Sequence, residues 1–144
     1  VRDEKTSGTD GGTFTAGAWQ TRTLNTVKTN TISGASLASN KITLPAGTYQ
    51  IRASAPGHFG TQKQAKIYNV TAAADILIGQ SSSANTSEYA TVNSTVVGRF
   101  VLASTSEIEL RHRTDATRAT DGFGLAANFG VVEVYSEVEI WKVA

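Results

Sequence analysis

The sequence predicts an all-β chain, an antiparallel β-sandwich of the jelly-roll kind. Three observations lead there. No stretch sustains the 3.6-residue apolar period of a helix. Short runs that alternate apolar and polar residues recur instead. The clearest is 48–55, where Tyr49, Ile51, Ala53 and Ala55 share one face and Thr48, Gln50, Arg52 and Ser54 the other. Turn signals such as Pro45-Ala46-Gly47, Pro56-Gly57 and Ser104-Thr105-Ser106 separate the runs.

Taken in order, residues 1–17 are polar and rich in Gly and Thr, and they read as a linker from an upstream region. The sandwich is then expected over 18–144. Residues 18–24 form a short strand with Trp19 on one face and Leu24 on the other. Residues 25–39 read as loop or weak edge strand. Strands follow at 41–44, at 48–55, at 62–71 around Ile67 and Tyr68, and at 75–79. Gln80 opens a serine-rich loop. Residues 91–102 make a long strand with Val96, Gly98, Phe100 and Leu102 on one face. In 107–113, Ile108 and Leu110 point in and Glu107, Glu109, Arg111 and Arg113 point out. A Gly/Thr/Ala-rich loop leads to the last strand, 131–143. The core is expected to hold Tyr49, Ile51, Ile67, Leu77, Val96, Phe100, Leu102, Ile108, Leu110, Val138 and Ile140.

Composition bounds the function. Apolar residues make up 40% and charged residues 17%, a globular balance with a neutral, hydroxyl-rich surface. The net charge is +1, with thirteen Lys and Arg scattered among twelve acids, so no nucleic-acid footprint is expected. No apolar run approaches a membrane helix, and no membrane insertion is expected. Without cysteine there are no disulfides and no thiolate metal sites. The chain contains no Met, so it reads as a fragment of a longer protein.

The run Leu44-Pro45-Ala46-Gly47-Thr48-Tyr49-Gln50-Ile51, with Ala65-Lys66-Ile67-Tyr68-Asn69 and Ser106-Glu107-Ile108-Glu109-Leu110, resembles the jelly roll shared by tumour necrosis factor and the globular heads of complement. Gly17-Ala18-Trp19-Gln20-Thr21-Arg22, Asn30-Thr31-Ile32-Ser33-Gly34-Ala35 and Glu139-Ile140-Trp141-Lys142 resemble the C-terminal tips of bacteriophage tail fibres and related virion proteins. The resemblance covers about residues 14–144. It implies a homotrimer on an upstream fibre stalk, located on the virion and extracellular when acting. It also implies a host-surface glycan or protein as receptor. A purely structural trimerisation or capping module is the alternative.

Candidate chemistry is sparse. His58 lies in a Gly-flanked turn and His112 on an alternating strand; both read as surface or rim histidines, because neither has the nucleophile and orienting acid of a triad in its neighbourhood. Glu133, Glu137 and Glu139 share a strand face and lack the opposed geometry of a glycosidase pair. Asp115 and Asp121 fit no defined calcium loop. No enzyme activity, cofactor or metal is therefore expected. The more informative pattern is loop length. Connections 56–61, 79–90 and 114–130 are long or Gly-rich and fall on one end of an up-and-down sandwich. They carry His58, Phe59, Tyr89, Arg118, Asp121 and Phe123, with Arg113 at the strand mouth, residue types favoured in recognition surfaces. In the last strand, Val132, Val134, Val138 and Ile140 are expected on one face. Tyr135 and Trp141 are expected on the other, which should meet another subunit.

Overall fold

The computed structural model describes residues 1–85 and 89–144. Among them are ten strands and no helix. These are β1 (Arg2–Lys5), β2 (Gln20–Thr21), β3 (Ser36–Ala38), β4 (Lys41–Leu44), β5 (Gly47–His58), β6 (Gln62–Asn69), β7 (Ala74–Ser83), β8 (Thr91–Leu102), β9 (Ser106–Thr114) and β10 (Glu133–Lys142). They form two antiparallel sheets. The first runs β1-β10-β5-β8. The second runs β3-β4-β9-β6-β7, with β2 added on β9.

One core lies between the inner faces. β5 gives Tyr49, Ile51, Ala53 and Ala55; β8 gives Val96, Phe100 and Leu102; β9 gives Ile108 and Leu110; β6 gives Ala65 and Ile67. Of the expected core, Leu77 and Ile140 are only half-buried. The Tyr49 hydroxyl donates to Pro45 O at 2.7 Å, so the one polar atom of this ring is satisfied.

Four segments depart from expectation, each for a physical reason. First, residues 1–17 are part of the fold rather than a linker in form. β1 pairs with β10. Beyond it, Phe14 is buried and exchanges backbone hydrogen bonds with Arg118 (both 2.9 Å). Second, β5 continues through Pro56-Gly57. β10 pairs with β5 only from Tyr49 to Ser54, so no ladder partner needs the N–H that Pro56 lacks. Third, Ser81, Ser82 and Ser83 belong to β7, in register with Gln64, Lys63 and Gln62, so the loop expected at 79–90 begins only at 84; its residues 86–88 lie outside the described residues.

The fourth departure is in β10. Arg2 pairs with Glu137 but Glu4 with Val134, so β10 holds one residue more than β1 across this stretch, a β-bulge. Tyr135 and Ser136 are both buried, and the alternation reverses across them. Val132 and Val134 therefore face out, while Glu133 and Tyr135 face in. Tyr135 is 7% exposed, with its hydroxyl on Thr9 O, and is not available to another subunit. Trp141 is 50% exposed and is.

The sheets approach closely where Gly79 of β7 lies against β8. A Cβ on Gly79 would lie 2.4 Å from Thr95 O and 2.8 Å from Ala65 O, both main-chain atoms. Gly79→Ala should therefore prise the strands apart and destabilise the fold by about 3 kcal/mol. An unchanged denaturation midpoint would show that the strands have room to separate.

Candidate functional site

Three connections meet at one end of the sandwich: 59–61, the described residues 84, 85, 89 and 90, and 115–132. Main-chain hydrogen bonds tie them to each other and to the strand ends. His58 N donates to Gly122 O (2.8 Å), Phe59 N to Ala90 O (3.1 Å), Ala84 N to Thr61 O (2.9 Å) and Asp115 N to Gln62 O (3.1 Å). Asp115 adds a side-chain clamp, accepting from the amides of Thr61 and Gln62 and from the Thr61 hydroxyl. Burial raises its pKa, but these donors outweigh burial and hold the carboxyl below its usual range. The end is a fixed crown.

Five of the seven expected site residues gather there. Phe59 and Tyr89 lie with ring centroids 6.2 Å apart, and the Tyr89 ring is 6.2 Å from His58. Arg118 lies 5.3 Å from the Phe59 ring and 5.5 Å from the Tyr89 ring. It is fixed there by a two-point pair with Asp121, Nε to Oδ1 at 2.5 Å and Nη2 to Oδ2 at 2.8 Å. That pair draws the Asp121 carboxyl below its usual range and raises the guanidinium. Tyr89 is 75% exposed and is the most prominent ring of the group. His58 is buried. Its Nδ1 meets Thr91 Oγ1 at 3.0 Å, while Nε2 has no hydrogen-bond partner among the described residues and lies 3.9 Å from Asp121 Oδ2.

The other two residues part company with the crown. Phe123 is buried, 4.7 Å from the Phe14 ring and under the Arg22 guanidinium at 3.9 Å. Its flanking glycines admit packed backbone, and the ring supports the fold. Arg113 sits on the outer face of the second sheet, where it lines a separate polar cleft.

The histidines are not on the surface. His112 follows Ile108 and Leu110 in parity and points inward, as Arg22 follows Leu24. Both are fully buried and in contact. Arg22 Nη1 donates to Pro56 O (2.6 Å) and lies 3.2 Å from His112 Nδ1; its Nη2 donates to Phe123 O (3.0 Å). Among the described residues no carboxylate is within ion-pair range of Arg22, and burial pulls its pKa down to about 9.

His112 Nε2 lies 2.9 Å from Ser94 Oγ, which is 2.9 Å from Ser82 Oγ. A hydrolytic triad would set a carboxylate on Nδ1. Here a guanidinium occupies that nitrogen, so Nδ1 accepts and the ring proton is on Nε2, facing the serine. Burial, followed by Arg22 and Lys63, pushes the His112 pKa down to about 2. This His–Ser pair has no base to offer at neutral pH.

Of the β10 carboxylates, Glu133 is likewise committed, whereas Glu137 and Glu139 face out. The bulge turns Glu133 inward, where it accepts from the amides of Gly8, Ala127 and Asn128, which lower its pKa. Trp19, Tyr68, Lys66 and Arg111 form a stack on the outer face of the second sheet. Lys66 Nζ lies 4.4 Å from the Trp19 ring, and Arg111 lies 3.6 Å from the Tyr68 ring. No protein-family model matches this chain, and no curated protein is significantly similar to it.

His112 gives the fold an acid sensitivity. Unfolded, it takes up a proton near pH 6.5; folded, it stays neutral down to about pH 2. The unfolded state holds the extra proton in between, so stability falls as pH drops below about 6.5. The slope is up to about 1.4 kcal/mol per pH unit. Denaturant titrations at stepped pH should show this loss setting in above the range where Asp121 and Glu133 protonate. His112→Gln should flatten that first limb; if the limb persists unchanged, another group carries it.

Proposed function

We propose that this chain is a non-catalytic, receptor-binding tip of a phage tail fibre or related virion protein. In this reading it is a jelly roll that works as a homotrimer and holds a host-surface glycan or protein at the crown. The strand orders β1-β10-β5-β8 and β3-β4-β9-β6-β7 support the jelly-roll reading. From β4 onward, every connection except β6–β7 passes from one sheet to the other, as interlocked Greek keys require. The outer face of the first sheet supports the trimer: Val97, Val101 and Trp141 are exposed on it, 64%, 71% and 50% respectively.

The observation that carries the receptor reading is the crown itself. An exposed Tyr89 ring stands beside Phe59 and a pre-fixed Arg118–Asp121 pair, on loops held by their own main chain. An aromatic platform stacks on the apolar face of a sugar, while a rigid planar pair offers hydrogen bonds at its edge. Three copies on one axis would add avidity to weak single contacts.

A specific observation also favours the purely structural reading, in which the domain only trimerises and caps a stalk. The apolar outer sheet face alone is enough for that role.

Tyr89→Ala and Arg118→Ala, tested singly in adsorption to host cells, should each weaken binding by about 30-fold per site while the trimer persists. Wild-type adsorption by both would leave the capping role. Phe123→Ala belongs with the stability variants, because its ring lies under Arg22. Trp141→Glu should dissociate the assembly in sedimentation. A parent chain that sediments at 15.2 kDa at micromolar concentration would overturn the trimer.

A further inference from the structure

Arg113 was expected among the crown residues and instead lines a cleft of roughly 750 Å³ on the outer face of the second sheet. That size is within the range of small-molecule sites, about 300–1,000 Å³. Its floor is the ends of β6, β7 and β9. Gln64, in register with both Ser81 and Arg113, spans the middle of it. Trp19 forms one wall, its indole held in position by the Lys66 ammonium. We infer that this cleft is a second binding site, one that takes a sugar bearing a carboxylate, of the hexuronate type.

The chemistry selects that class. Gln62 and Gln64 on β6 face Ser81 and Ser83 on β7, so amides and hydroxyls stand in rows along two strands, with the Gln64 amide nitrogen set on Gly79 O and its oxygen left to accept; this suits a polyhydroxylated ring better than an apolar ligand. The Trp19 ring supplies the apolar surface on which one sugar face stacks. Charge then separates acidic from neutral sugars. Lys63 Nζ is buried on Gly60 O, and its charge is set against that of Asp115. The Asp115 carboxylate is itself turned onto Thr61 and Gln62. Arg113 is exposed and has no ion pair among the described residues, so the cleft presents one uncommitted guanidinium. A guanidinium matches a carboxylate in a planar two-point contact, and a single cation calls for a single negative charge.

This inference does not rest on the crown. The two surfaces share no side chain that would touch a ligand; Asp115 braces both through Thr61 and Gln62 and is left intact in every variant, so either can fail alone. The experiment is a ¹⁵N NMR titration of the intact chain with trigalacturonate, with galactotriose as the neutral counterpart. Trigalacturonate at millimolar concentration should shift the Trp19 indole and Gln64 side-chain resonances saturably, and less so at high salt. Galactotriose should bind about tenfold more weakly, the loss expected when a charge-assisted contact is absent. Arg113→Gln, at an exposed side chain with no ion pair among the described residues, should weaken trigalacturonate by the same factor. Trp19→Ala should lose both sugars, and Tyr89→Ala should leave the titration as it is. The inference is overturned by any of three results: no saturable shift at Trp19, equal affinity for the two sugars or for parent and Arg113→Gln, or shifts confined to Phe59 and Tyr89.

Discussion

The Arg22 guanidinium is the constraint on which the crown end of the sandwich depends. It reaches from the β2 segment to the carbonyls of Pro56 on β5 and Phe123 in the 115–132 loop, touches His112 on β9, and lies on the Phe123 ring. Both sheets and the longest loop thus converge on one side chain. A buried cation without a carboxylate is costly to desolvate, and carbonyl dipoles and a ring face offset that cost here. The arrangement also explains why β5 can run through a proline. The Pro56 carbonyl needs a partner away from β8, and Arg22 supplies it.

The bulge in β10 acts on the same end by different means. One added residue reverses which side chains face the core. It brings Glu133 inward to collect three backbone amides, from Gly8, Ala127 and Asn128, and it brings Tyr135 onto Thr9. The first seventeen residues are thereby stitched to the last loop. A Gly/Thr-rich segment with little to bury is ordered here because its main-chain groups find partners, in agreement with the general need to satisfy buried N–H and C=O groups.

How far the sequence could be read follows from these two features. Period-2 alternation located β5, β8 and β9 and most of the core, since each has one buried face. The same parity, continued past Leu110 to His112 and back from Leu24 to Arg22, would have placed both polar residues inside. His112 is expected at the surface or rim because its type is often exposed, and Arg22 carries no expectation of its own. The bulge had no local signature: Val134-Tyr135-Ser136-Glu137 fits either register, and only pairing with β1 decides it. The serine run of β7 was hidden for a similar reason. Its side chains carry no strand signal, and its backbone partner on β6 supplies the order. For the candidate site, alternation of loops between the two ends brought five residues together correctly, whereas Arg113 was misassigned by standing at a strand mouth, where the sheet's outer face and the crown adjoin.

The loops of the crown are joined chiefly through peptide groups, which every residue but proline provides in the same form. Their shape is therefore largely indifferent to which side chains they display. Positions such as Tyr89, whose ring projects into solvent, are free to drift while the backbone beneath them keeps its course. A lineage carrying this scaffold could exchange one displayed chemistry for another in single steps, without first repairing the fold. Arg22, Glu133 and Asp115 would be the positions that such a lineage could not readily vary.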